Sequence, residues 1–212
     1  NKNMKIEIIK EKRKTMVLKV LDEEHAVLKA PKSFSDAKIK TFLDSKAKWL
    51  QKTCDKLKSR DDLAAKFDFD RFVYLDGKQM MSVNEIAFDF SKLSESAKRK
   101  AIKNYYKTLF VEVAELAENL SAETGLKFKE LKMTNSVRVW GSYSSNGVMK
   151  LNWKLPILPR KLSEYVIFHE LCHSRHMNHK PQFWRAVEKV CPDYKLRKKT
   201  LNDFSFVLRH EF

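Results

Sequence analysis

The sequence predicts an α+β fold in two lobes. A β-rich amino-terminal lobe with one helix covers residues 1–92, and a lobe over residues 93–212 joins a small sheet to a helix carrying H-E-x-x-H. Three observations point there. Apolar and polar residues alternate near the amino terminus, the pattern of strands with one buried face. Past residue 100 the apolar residues switch to the 3.6-residue period of an amphipathic helix. Two strand-like runs then meet at Ser144-Ser145-Asn146-Gly147, and Asn-Gly is a strong hairpin signal. The two lobes are expected to pack as one unit.

Taken in order, Met4, Ile6 and Ile8 mark a first strand, residues 16–21 a second and residues 26–30 a third. Pro31 ends this set, and Ser33 or Ser35 can cap a helix carrying Ile39, Phe42, Leu43 and Trp49. Residues 51–70 are charged and poor in large apolar groups before Phe67 and Phe69, as suits a helix tail and a connection. Residues 71–75 and 79–90 read as a hairpin turning at Gly77. Ala101, Tyr105, Leu109, Val113, Leu116, Ala117 and Leu120 form the stripe of a long helix closed by Gly125. Residues 137–143 and 148–155 make the second hairpin, in which Trp140 and Trp153 can serve the core. Leu162, Val166 and Phe168 seat the next helix on the sheet. Pro181 opens another, running through Phe183, Trp184, Val187 and Val190 to Pro192.

The chemistry concentrates in residues 169–179, which read His169-Glu170-Leu171-Cys172-His173-Ser174-Arg175-His176-Met177-Asn178-His179 and hold four of the chain's six histidines. Helical residues four apart lie roughly 40° apart around the axis and one turn along it, so His169 and His173 can aim at one point. That point suits a metal, zinc above all. Glu170 would project beside it, where a carboxylate can take a proton from an attacking water. An accidental H-E-x-x-H is expected in roughly one such chain in a hundred. A catalytic zinc takes three protein ligands, and His176 and His179 compete for the third place. A continuing helix would carry His176 about 10 Å along the axis from His169, too far for a shared ion. His179 can return if the chain leaves the helix, and Asn178 and Pro181 supply stop signals. His179 is therefore the expected ligand, with His176 supporting the site or facing solvent and Glu188 as a rival ligand. Tyr165, Asn152 and Glu188 are candidates for holding an imidazole N–H or a transition-state oxygen, and Trp140 for meeting substrate. Cys172, next to His173, reads as a packing residue.

Several stretches together resemble one family. His169-Glu170-Leu171-Cys172-His173, then Asn178-His179 and Phe183-Trp184, are similar to the core of the YgjP-like metallopeptidase domain. Trp140-Gly141-Ser142-Tyr143-Ser144-Ser145 with Leu151-Asn152-Trp153-Lys154-Leu155 resembles that family's hairpin. Arg13-Lys14, Val17-Leu18-Lys19-Val20, Ala30-Pro31, Ile39 and Trp49 resemble its amino-terminal β region. The resemblance implies a zincin-like second lobe, zinc on His169, His173 and His179, Glu170 as acid and base, and kinship with the SprT and Spartan proteases. Two positions depart from the family's pattern. Val139 and Tyr143 stand where it usually has Arg and Cys, with Arg138 one place earlier. A shift of one residue turns a strand side chain to the other face unless a bulge restores it.

Composition bounds the partners. With 43% hydrophobic residues in 212, the chain can bury one sizeable core or two small ones. No run approaches the roughly 20 apolar residues of a membrane span, and the basic stretch 1–14 leads into no apolar signal region. Three widely spaced cysteines, Cys54, Cys172 and Cys191, suit a reducing compartment, so a cytoplasmic protein is expected. The net charge of +16 attracts polyanions, densest at Lys10, Lys12, Arg13 and Lys14, at Lys98, Arg99, Lys100 and Lys103, and at Lys195, Arg197, Lys198 and Lys199. Such lysines also serve as plain solvated faces. The leading expectation is a zinc peptidase acting on protein or peptide, with residues 137–143 either pairing an extended substrate or only completing the sheet. The alternatives are a metal-dependent phosphohydrolase of nucleotides, or a basic nucleic-acid-binding module with structural zinc.

Overall fold

The amino-terminal alternation becomes three strands, β1 (Lys5–Glu11), β2 (Val17–Val20) and β3 (His25–Pro31), followed by a long helix, α1 (Asp36–Ala64). β3 is central, parallel to β1 and antiparallel to β2. Its alternate residues Ala26, Leu28 and Ala30 are buried. Leu28, Ala30 and Ile39 form a core on which Ile6, Leu18, Phe42 and Leu43 pack, while Trp49 stays exposed. Ser35 caps α1 by accepting from the Lys38 amide, one of the donors a first helical turn leaves without partner.

These elements form one compact unit, Asn1–Ala65, and Lys66–Phe212 forms a second. The computed structural model describes residues 4–22, 24–86 and 90–212. Among them, six α-helices and three small sheets give the expected α+β architecture, and no helix is long and apolar enough to cross a membrane. The units divide at 65/66, against an expected lobe boundary at 92/93, because the hairpin of β4 (Phe72–Leu75) and β5 (Lys78–Ser82) is built into the second unit. Its turn places Asp76 and Gly77 at φ 51° and 71°, the left-handed pair that a two-residue hairpin turn needs. The Asp76 and Gly77 amides donate to the carbonyls of Pro156 and Ile157. The expected second arm, residues 79–90, is shorter. β5 stops at Ser82, Val83–Glu85 make a single 3-10 turn, and residues 87–89 lie outside the described residues.

Helix α2 (Glu95–Thr124) ends at Gly125, whose φ of 68° is the left-handed cap conformation. Its buried stripe differs from the expected one in the first half. Ile102, Tyr106 and Phe110 face inward in place of Ala101, Tyr105 and Leu109, one residue round the helix. Tyr106 decides this, since its hydroxyl accepts from the Tyr74 amide of β4 and its ring packs near Trp153 and Phe212.

The third sheet has β8 (Val148–Asn152) in the middle, parallel to β6 (Glu130–Thr134) and antiparallel to β7 (Gly141–Tyr143). Only three residues of the expected strand 137–143 are strand. The preceding residues curl away because the Ser136 hydroxyl accepts from the Arg138 and Val139 amides, and the Asn152 side chain donates to the carbonyls of Ser136 and Val139. Then come α3 (Arg160–Cys172), α4 (Pro181–Val190), α5 (Tyr194–Asp203) and α6 (Ser205–Arg209). Buried Lys154 donates to the carbonyls of Val207, Leu208 and His210, satisfying acceptors that the end of α6 leaves open. Burial pulls its ammonium down to about 8.

Candidate metal centre

Helix α3 is buried on nearly every side, through Leu162, Tyr165, Val166, Ile167, Phe168 and Leu171. That fixes the direction in which its last turn points. Its first residue lacks a side-chain cap from Pro159, and the β4–β5 turn supplies one: the Asp76 carboxylate accepts from the Arg160 amide. At the other end α3 stops at Cys172, yet His173 keeps helical φ and ψ, −66° and −18°. The four-residue spacing of His169 and His173 therefore survives, with ring centroids 5.1 Å apart.

Beyond α3 the chain turns tightly, the Ser174 amide donating to Leu171 and the Arg175 and His176 amides to Cys172. Asn178 accepts from the Lys180 amide, and Pro181 opens α4. This reversal brings His179 back to α3, with its Nε2 3.0 Å from His169 Nε2. Candidate ligand nitrogens of His169, His173 and His179 lie within 4.8 Å of one another, and no other such group of metal-binding side chains occurs among the described residues. Nitrogens at 2.0–2.1 Å around a tetrahedral zinc would stand roughly 3.3 Å apart, so modest side-chain motion would fit these rings to one ion.

The protonation states suit that role. Burial, then the neighbouring His173 and His179, pull His169 down to about 3, and burial lowers His173 as well. Neutral imidazoles keep the lone pair that a metal needs. His173 Nδ1 donates to the His176 carbonyl at 2.9 Å, which fixes the tautomer with Nε2 unprotonated. His176 thus supports the site through its backbone, and its ring stays outside the group.

Aromatic rings hold all three imidazoles. Phe183, fully buried, stacks on His173 at 4.5 Å and presents its edge to His169 and His179 at 4.8 and 4.7 Å. Trp184 stacks on exposed His179, Tyr194 stacks on Trp184, and the Lys198 ammonium lies 4.0 Å from the Trp184 ring centre. Helix α4 thus braces the turn that carries His179, and α5 adds a layer behind it.

Glu170 is buried, and burial pushes its carboxyl up to about 8. It faces Gly141, at the start of β7. A β-carbon at that position would lie 2.8 Å from Glu170 Cγ and 2.9 Å from Oε1, and since φ of Gly141 is not left-handed, the glycine serves space alone. We expect Gly141→Ala to displace the carboxylate and lower turnover about a hundredfold, the cost of a shift of roughly 1 Å in a reacting group. Bound metal should be unchanged. Steady-state kinetics beside metal analysis would check this, and wild-type turnover in the variant would show that Glu170 tolerates displacement.

The remaining candidates sit elsewhere. Asn152 is fully buried, but its amide donates to Ser136 and Val139 and its oxygen accepts from the Lys154 amide, so it shapes the loop before β7. Trp140 is buried, with its carbonyl accepting from the Asn152 amide. Glu188 is half-exposed and pairs with Lys195 at 3.7 Å, outside the histidine group. Tyr165 does approach, its ring edge-on to His169 at 6.0 Å, and burial raises its hydroxyl pKa. Gly141 and Phe183 matter more to the site than the sequence suggested. A glycine at a strand start and an aromatic one turn into the following helix were the available signals.

The basic clusters are partly neutralised within the fold. Lys10 pairs with Asp36 and Lys98 with Glu95, and Arg197 with both Glu164 and Asp193.

No match to a curated protein was found. A solved structure matched by the chain is the metallopeptidase zymogen of Pyrococcus abyssi abylysin, at 22% identity over 47% of this chain and 99% of that one. Its TM-score of 0.39 is too low to carry fold or function across. The family model described as YgjP-like, metallopeptidase domain, matches residues 14–204. The chain belongs to the YgjP-like metallopeptidase domain family.

Proposed function

We propose that this protein is a zinc-dependent peptidase in which His169, His173 and His179 hold the ion and Glu170 moves the proton. The observation that carries this is the convergence of three imidazoles beside a buried carboxylate, with a cleft bordering one of them, His173. Structural zinc sites are closed by four protein ligands, and only three such side chains gather here among the described residues. Zinc, when bound, lowers the pKa of a coordinated water to about 7 and polarises a carbonyl.

The chain's own residues do the rest. Glu170 accepts the proton of the attacking water and returns it to the leaving amine, and a carboxyl poised near neutrality suits both halves of that task. Gly141 leaves room for the carboxylate to face the reacting atoms, and the His176 carbonyl holds His173 in its binding tautomer. β7 is an edge strand of its sheet, so an extended substrate could add to it by backbone pairing, over three residues at most. We assign the work to the cytoplasm, where buried Cys172 and Cys191 would remain reduced.

The test is the product. Zinc-loaded protein is incubated with an unfolded protein, a DNA-bound protein and a panel of nucleotides. Peptide fragments are expected. Phosphate release without peptide cleavage would overturn the proposal in favour of a phosphohydrolase, and metal analysis of the purified protein tests zinc.

A further inference from the structure

A cleft of about 610 Å³ borders His173. Its walls come from residues just after α2, from the β7–β8 turn and from the turn that follows α3. Three cations line it, Lys127, Lys129 and Arg175, with no carboxylate among the lining residues. None of the three is in an ion pair among the described residues, unlike Lys98 or Arg197. Their backbones are fixed. Tyr143 donates its hydroxyl to the Lys127 carbonyl at 2.8 Å, and the Lys129 amide donates to Gly147 at 2.8 Å. The Lys129 stem lies where a β-carbon on Gly147 would stand, 2.9 Å from Cγ, so the side chain runs along the turn. Phe128 and Met177 add apolar surface beside the charges.

We propose that this cleft is a substrate subsite that binds a carboxylate of the peptide being cleaved, an inference that rests on the peptidase reading. A peptide reaching His173 from this side meets three positive charges and no negative one. The anionic group that a peptide brings is an aspartate or glutamate side chain or its own carboxy-terminus. The methylenes of such a residue would lie against Phe128 and Met177 while its carboxylate meets the ammonium and guanidinium groups, a pairing of apolar body and charged tip. The cleft is large enough for several residues of an extended chain.

Binding is measured by fluorescence anisotropy with the full chain carrying Glu170→Gln and loaded with zinc, so that labelled peptides survive. Amidated peptides with glutamate should bind about tenfold tighter than their glutamine counterparts, as expected for a few partly exposed charge pairs. The combined change Lys127→Gln, Lys129→Gln and Arg175→Gln should reduce that ratio to about twofold. Free-acid against amidated versions of the glutamine peptide separate the two sources, and a preference in either comparison that the triple variant loses supports the subsite. Equal affinities in both comparisons, or a preference that survives the triple substitution, would overturn it. So would a thymidine oligonucleotide that alone depends on the three cations. Peptide cleavage with no acidic preference would remove the subsite and leave the peptidase. Carboxylate-dependent binding with no cleavage by the unsubstituted zinc-loaded protein would do the reverse.

Discussion

Glu170→Gln should leave the metal in place and lower turnover about 10²–10⁴-fold, the usual contribution of a positioned acid–base group. Glutamine has nearly the shape of glutamate, so it can occupy the same buried position against Gly141 without a new clash. What it cannot do is accept and return a proton. The carboxyl of Glu170 sits near 8 because burial disfavours its charge. A cation beside it would favour the ionised form, the form that can accept a proton, which couples the group to metal loading. The measurement is kcat on a quenched fluorescent peptide, with metal content determined on the same sample. Full activity in the variant would remove Glu170 from the reaction. An unchanged nucleic-acid affinity with no hydrolysis in either protein would instead favour a structural metal.

The parts of this site that the sequence exposed are those set by spacing along one element. His169, Glu170 and His173 share a helix turn, and a helix fixes their relation whatever surrounds it. His179 needed one further step, a reversal signalled by Asn178 and Pro181. The neighbours that tune these groups come from distant chain and left weaker marks. Gly141 clears space for Glu170 from 29 positions away, and in the sequence it is one glycine of four. The His176 carbonyl acts through its backbone, which every residue possesses.

The fold divides in the same way. Ser35, Gly77 and Gly125 punctuate the chain as local signals should. The parallel pairings β1 with β3 and β6 with β8 join segments whose periodicity does not specify a partner. β6 carries only Leu131 and Met133 as large apolar residues and does not stand out as a strand. Helix α5 was hidden in a basic cluster, and its Arg197 ties to α3 through Glu164 and the Lys161 carbonyl. The curl at residues 136–139 breaks an alternating pattern because Asn152, expected at the site, instead donates to two of its carbonyls.

His179→Ala should weaken zinc binding roughly 250-fold, while His176→Ala should leave it nearly unchanged. The first figure follows if three ligands share roughly 10 kcal/mol of zinc affinity, so that one is worth about a third of it. His179 is the exposed member of the group, and no described side chain stands ready to replace it. Glu188 is engaged with Lys195, and the His176 ring does not join the cluster. The His176 change is informative because alanine keeps the carbonyl that accepts from His173 Nδ1. Only the ring is removed, so a loss of affinity would mean that the ring itself binds metal. Competition against a chelating dye gives the affinities directly. Thermal melting gives an independent reading: excess zinc should raise the midpoint of the wild type and of His176→Ala, and much less that of His179→Ala, because a ligand stabilises the fold in proportion to the logarithm of its saturation ratio. The opposite ranking in both measurements would exchange the two histidines. It would also require the turn after α3 to rearrange on metal binding, since the present turn carries His179, and not His176, to within 3.0 Å of His169.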